Sequence, residues 1–378
     1  MPIETETPLL LLDRDQLDRN IQRMRETLAP FNVTFRPHVK THKCLEVTER
    51  LFVGGKGPIT VSTLREADFF FAAGFTDILY GVGIAPNKFA HAARLLEQGA
   101  ELKLVLDNLE SARLLADFAA RSDQAFEVLL EVDCDGHRSG IPPNAPLSVE
   151  IAQLLQRSGV KVSGVMTHAG NSYDSRTIEE IEAFARRERD AIVQAAQLLR
   201  NAGFEVPMVS VGSTPTALFT HDLTGVTEVR AGVFAFFDLV MAGLGVCQMQ
   251  DIAVSVLTTV IGHQPDKGWV IVDAGWMALS RDRGTAKQPV DQGYGVVCDL
   301  SGQPVGDLIV TAANQEHGII SSRSGNPEVA LAQPVGAQLR ILPNHAGATS
   351  AQHAGYHVST EGRRLGYWPR IAGWGISL

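Results

Sequence analysis

Lys40 lies in Arg36-Pro37-His38-Val39-Lys40-Thr41-His42-Lys43, just after a hydrophobic run and a proline and among further basic and imidazole groups. A second positive charge close by disfavours an ammonium ion, so the pattern predicts an amine shifted towards its neutral form. A neutral amine forms a Schiff base with an aldehyde, which is the entry to pyridoxal chemistry. On local charge alone the segment also reads as a solvated basic turn after a strand. The other polar segments decide between the two. Gly212-Ser213-Thr214 fits a phosphate cradle, with glycine admitting the backbone, N–H groups facing the anion and two hydroxyls adding donors. Arg230-Ala231-Gly232-Val233 would add N–H donors. Arg138, bracketed by Gly136 and Gly140, could reach the phenolate oxygen of a pyridoxal ring or cap a strand end at the surface.

These residues need elements to bring them together. From about residue 20 to 245, short apolar runs alternate with helical patterns. Gln16 to Leu28 has Leu17, Ile21, Met24 and Leu28 at helical spacing. Strand candidates follow at residues 33–36, 59–62, 77–80, 102–107, 126–133, 162–167, 209–212 and 226–230. Repeated strand–helix units imply parallel strands with right-handed crossovers. The expected fold is therefore α/β, a TIM-like (β/α)8 barrel. An open doubly wound sheet competes, but no GxGxxG follows the first strand. In a barrel the chemistry gathers at the C-terminal ends of strands. Lys40 follows the first strand, Arg138 the fifth, His168 and Tyr173 the sixth, and Gly212 the seventh. Phosphate commonly binds after the seventh and eighth.

After residue 245 the sequence becomes β-rich, as in residues 252–262, 269–273 and 338–342, which predicts a C-terminal antiparallel β domain. The expected division is a barrel over 14–245 and a β domain over 246–378, joined by an N-terminal strand in 1–13. Arg281-Asp282-Arg283 reads as an exposed charged loop. Glu316-His317-Gly318 reads as a loop that approaches a barrel mouth.

Bulk properties narrow the function class. The chain has 378 residues, 45% of them apolar, and a formal net charge of −9. Such a charge argues against nucleic acid and against an anionic membrane surface as partners. No apolar run is long enough to span a bilayer. Cys44, Cys134, Cys247 and Cys298 form no CxxC pair and read as free thiols of a cytoplasmic enzyme.

Pro37 to Lys43, Val61 to Ala67, Gly136 to Gly140, Val211 to Thr216 and Glu316 to Gly318 together resemble the D-threonine aldolase and D-serine dehydratase family. These are pyridoxal-phosphate enzymes of the alanine-racemase fold type. Residues 167–170, 273–277 and 341–345 resemble the branch acting on 3-hydroxyaspartate. The resemblance implies a homodimer with shared active sites, a small amino-acid substrate, and Lys40 as the Schiff-base lysine. It further implies that Gly212, Ser213, Thr214, Gly232 and Val233 hold the phosphate, that Arg138 contacts the ring oxygen, and that His38, His168 and Tyr173 border the ring or substrate.

The family also holds a divalent metal through a histidine and a cysteine or aspartate two residues on. Here His345 is present, but the second position is Gly347, which has no side chain to ligate anything. A lone imidazole makes a poor metal site. The implied reaction is lyase chemistry on a D-3-hydroxy amino acid, namely dehydration to a 2-oxo acid and ammonia, with His345 replacing the metal as acid. Aldol cleavage, with His345 or His317 as base, is the alternative. Metal-independent racemisation or transamination is a third. A non-catalytic cofactor-binding protein is disfavoured, since single-domain barrels of that kind lack the β domain.

Overall fold

The structure, a computed structural model, describes residues 6–374. The outermost residues of the expected N-terminal strand and of the β domain, 1–5 and 375–378, lie outside the described residues. Contacts divide the chain into a β unit (up to residue 23, then 233–371) and a barrel unit (24–232, then 372 onward). The partition differs from 14–245 and 246–378. Residues 14–23 and 233–245 group with the β unit. Asn20 Nδ2 donates to the carbonyls of Ala235 (3.1 Å) and Asp251 (2.8 Å), and Ala253 N donates to Phe236 O (2.8 Å).

Strand β1 (Leu9–Asp13) belongs to the β unit, and the division between the units falls within the sequence of helix α1 (Arg14–Leu28), after Arg23. The barrel strands are β2 (Thr34–Phe35), β3 (Ile59–Val61), β4 (Asp77–Gly83), β5 (Glu101–Leu106), β6 (Glu127–Val132), β7 (Lys161–Thr167), β8 (Met208–Val211) and β9 (Glu228–Val229). All their pairings are parallel, in the order β2-β9-β8-β7-β6-β5-β4-β3. A parallel bridge between His38 and Thr60 joins the two outer strands and closes the ring. Helices α2 (Leu45–Arg50), α3 (Leu64–Ala72), α4 (Phe89–Glu97), α5 (Leu109–Ala119), α6 (Leu147–Arg157), α7 (Ile178–Asn201) and α8 (Thr214–Leu218) form the crossovers. Their starts follow sequence chemistry. Thr63, Asn108, Thr177 and Ser213 each accept an N–H of the first turn at α3, α5, α7 and α8. Leu79, Val105, Leu129 and Met166, from β4 to β7, form one fully buried cluster. The expected TIM-like α/β barrel is present.

In the β unit, α9 (Leu239–Gly243), α10 (Trp276–Leu279), α11 (Pro327–Leu331) and α12 (Ala346–Ser350) are single turns. Its sheet comprises β1, β10 (Val254–Gln264), β11 (Trp269–Val272), β12 (Val296–Cys298), β13 (Pro304–Ala313), β14 (Gly318–Ser322), β15 (Gln338–Leu342), β16 (Gly355–Thr360) and β17 (Arg363–Pro369). The order β11-β14-β13-β12-β15-β10, with β10 also pairing β11, makes a closed antiparallel ring. The first half of β10 pairs β1, which lies between β10 and β16. The β1–β16 pairing is parallel, so the sheet is antiparallel with one exception. Among the described residues no helix is long and apolar enough to cross a membrane. All four cysteines are free, and Cys44, Cys247 and Cys298 are buried.

Candidate active site

Lys40 follows β2 at the C-terminal end of the barrel. Its side chain is open to solvent there, yet protein atoms crowd the amine. That loss of water, then the charges of Arg138 and Arg230, lower its pKa to about 8, while Glu66 acts in the opposite sense. The expected sequence neighbours are not the cause. Arg36 points into the barrel floor, where Glu228 (2.7 Å) and Asp77 (2.8 Å) neutralise it. Lys43 is paired with buried Glu66 at 3.0 Å and lies over the Trp374 ring at 4.5 Å. The cations that act on Lys40 come from the ends of other strands.

Arg230 is fully buried after β9. Its Nε donates to Ser210 Oγ (2.9 Å) and its guanidinium also to the Thr167 carbonyl. The sequence reading valued this segment for backbone N–H groups and missed the side chain. Arg138 is half-exposed and faces Glu131 across 3.5 Å. His38 sits against the Lys40 backbone, its Nδ1 accepting Lys40 N at 3.4 Å and its Nε2 within 3.5 Å of Ser62 Oγ. Burial, then Lys40 and Arg230, push its pKa well down, so the ring is neutral. His168, after β7, is held by Nδ1 donating to Gly212 O at 2.6 Å. Burial is the main cause that drops its pKa to about 3, and Lys40, Arg138 and Arg230 add to it. The Tyr173 ring lies 6.1 Å from the His168 ring.

The turn after β8 is built differently from the expected cradle. Gly212 N donates inward to Glu188 Oε1 (2.9 Å), not towards the mouth. Gly212 contributes space instead: φ is +155°, and a Cβ would lie 1.9 Å from Arg230 O. Ser213 Oγ accepts Thr216 N (3.1 Å) and Thr216 Oγ1 lies near Ser213 N (3.2 Å), a reciprocal cap that sets the first turn of α8, where Thr214 is buried. Gly232 is required by close approach, since a Cβ there would lie 2.9 Å from His38 O. Val233 begins the second segment of the β unit. The barrel unit thus brings Lys40, His38, Arg138, His168, Tyr173, Gly212, Ser213, Thr214 and Gly232 to one end. His345, His317 and Val233 belong to the β unit.

In the β unit His345 is exposed, and its Nδ1 bonds Asp282 Oδ2 at 2.7 Å. That bond is the largest cause keeping the Asp282 carboxyl below its usual range. Asp282 was read from sequence as part of a charged loop. Of its neighbours, Arg283 pairs with Asp291 (2.6 Å) and Arg281 stacks on Trp276 (4.2 Å). His317 lies exposed in the β13–β14 turn. Among the described residues no group of three or more His, Cys, Asp or Glu side chains converges to hold a metal.

Residues 12–240 match the family model of the alanine racemase N-terminal domain, and 253–359 that of the putative serine dehydratase domain. The chain is 51% identical to D-threo-3-hydroxyaspartate dehydratase of Delftia sp. (strain HT23), over 98% of both chains. This is an alanine racemase-fold protein of the serine dehydratase family. D-serine dehydratase of Dictyostelium discoideum is 32% identical over 93% of each chain. A solved cysteine-to-alanine mutant of D-threo-3-hydroxyaspartate dehydratase, in the metal-free form, superposes with a TM-score of 0.95 at 51% identity. That match covers 98% of this chain and 99% of the other.

Proposed function

We propose that this family member is a pyridoxal-phosphate-dependent lyase that dehydrates a D-3-hydroxy amino acid, of the 3-hydroxyaspartate type, to a 2-oxo acid and ammonia. The observation that carries the reading is Lys40: an amine lowered to about 8, at the C-terminal mouth of a parallel barrel, beside two arginines. The residues fit the cofactor. Lys40 would hold it covalently, Arg138 its ring oxygen, Ser213, Thr214, Gly232 and Val233 its phosphate, and His38, His168 and Tyr173 would border it. When bound, the cofactor supplies an electron sink for the bond broken at Cα.

With the cofactor bound, Lys40 Nζ would be the base that takes the Cα proton. Its low pKa keeps part of the population neutral at physiological pH. His168 and His38 are neutral beside it and do not compete for that proton. The departing hydroxyl needs an acid. His345 is assigned this role, with Asp282 orienting its ring and stabilising its charged form. The donors do not match the two-ligand metal site of the resemblance, because Gly347 offers no ligand beside His345, and among the described residues no group of three or more His, Cys, Asp or Glu side chains converges. No step is routed through a metal. A homodimer with shared sites and a cytoplasmic location complete the reading, supported by family membership and by the absence of CxxC pairs.

Purified protein incubated with D-threo-3-hydroxyaspartate, D-threonine and D-serine tests the reaction. Oxo acid with ammonia supports dehydration. Glycine with an aldehyde places the chain among the aldolases, and loss of optical rotation with neither product marks a racemase.

A further inference from the structure

Helix α7 lays Ile181, Ala185, Glu188, Ala191, Ile192, Ala195, Ala196 and Leu199 against the barrel, and every one of these except Glu188 is apolar. A carboxylate in such a stripe is costly unless its oxygens are saturated by donors. Here they are. Oε1 accepts Ala169 N at 3.0 Å and Gly212 N at 2.9 Å, and Oε2 accepts Thr216 Oγ1 at 2.7 Å. Ala169 follows β7, whereas Gly212 and Thr216 follow β8. The backbone ladder between these strands ends at Met166–Ser210, short of both turns. Past that point the two strand ends are tied by Glu188, by the His168–Gly212 hydrogen bond, by the Ser172 Oγ–Ser213 Oγ contact at 3.1 Å, and by Arg230, which bonds both Ser210 Oγ and the Thr167 carbonyl; of these, Glu188 alone meets a backbone N–H of each turn.

We propose that Glu188 is a positioning residue for the cofactor phosphate, setting the Gly212–Thr216 turn against the Ala169 backbone from behind. The inference rests on the barrel binding pyridoxal phosphate. A side chain that only filled space would be better apolar, like its neighbours on α7. A side chain that only carried charge would not need its oxygens placed on two N–H groups of different strand ends. Gly212 N, turned inward by this carboxylate, fixes which way the rest of the turn faces. Thr216 Oγ1 passes the constraint to Ser213, whose N and Oγ it meets at 3.2 and 2.8 Å.

Two variants separate geometry from charge. Glu188→Gln keeps an oxygen for the two N–H groups and can donate its amide to Thr216. Glu188→Asp keeps the charge but withdraws the oxygens by one methylene. Each apoprotein is titrated with pyridoxal phosphate and with phosphate-free pyridoxal, following the visible absorbance of the ligand on Lys40. Glu188→Asp is expected to raise the Kd for pyridoxal phosphate about tenfold, roughly the loss of one hydrogen bond to a charged group. Glu188→Gln should stay within about threefold, and pyridoxal should change less than about twofold in both. Unchanged phosphate-ester binding in the Asp variant overturns the proposal, as does a Gln variant that loses as much, or an equal loss for both ligands. If the Asp variant does not fold, Thr216→Val replaces it. That variant is expected to weaken pyridoxal phosphate alone, and no weakening overturns the proposal. A wild-type protein that takes up neither ligand overturns the functional reading itself.

Discussion

Arg138 and Arg230 reach Lys40 from the ends of β6 and β9, and both hold its amine below the usual lysine range. Lys40 protonates as pH falls through about 8, so the nucleophilic form is the one present above it. Uptake of pyridoxal phosphate by the apoprotein is therefore expected to accelerate as pH rises, levelling off above that midpoint. Arg138→Ala removes one of the two cations, so its midpoint is expected at higher pH. Stopped-flow absorbance across pH 6–10 reads both. A midpoint that Arg138→Ala leaves in place would show that desolvation and Arg230, without Arg138, set the amine. Lys40→Ala should abolish both the visible band and turnover, the latter by at least about 10³-fold, as for loss of a proton-transfer group. Asp282→Asn keeps the shape of the His345 partner and removes its charge. It is expected to lower kcat about 10-fold or more with little change in KM, since the ring's charged form loses its stabilising neighbour.

Strands β7 and β8 carry His168 and Gly212, and their spacing depends on Gly164. A Cβ at that position would lie 2.1 Å from Met208 O on β8. Gly164→Ala is expected to cost about 1–3 kcal/mol in urea unfolding, and to weaken cofactor binding through the two strand ends. The strand–helix rhythm made such elements legible from sequence, because a barrel strand is a short apolar run and its loop is polar. Lys40 was legible for the same reason, although the charges first credited with tuning it were the wrong ones. Arg36 and Lys43 are neighbours only along the chain, and Glu228 and Glu66 neutralise them. Glu188 stayed hidden because α7 is rich in charge, with Glu179, Glu180, Glu182, Arg186, Arg187, Arg189 and Asp190 around it. Its phase was the available signal: Ile181, Ala185, Glu188, Ile192, Ala195 and Leu199 recur at helical spacing. Asp282 had no such signal, since its pairing with His345 joins segments 63 positions apart.

For the molecule as a whole, the proposed function, with glycine at position 347, predicts turnover that does not depend on a metal. Dialysis against a chelator is expected to leave activity within about twofold of the untreated enzyme, below the loss that removing a catalytic ion causes. Metal analysis of the dialysed protein reads the same point without turnover, and one tightly held ion per chain would contradict it. Light scattering should find twice the chain mass if the sites are shared between two copies.

The placement of β1 reaches beyond catalysis to how the polypeptide is made. Leu9 to Asp13 are made before the barrel, yet their hydrogen-bonding partners, Val254 to Leu257 and His357 to Ser359, are made after it. The intervening barrel has every strand it needs by Val229, so it can assemble during translation. This apolar strand has no partner until Val254 to Leu257 have been made, and its other edge waits for His357 to Ser359. Synthesis thus leaves a sticky segment exposed while the whole barrel is made, a natural client for nascent-chain chaperones.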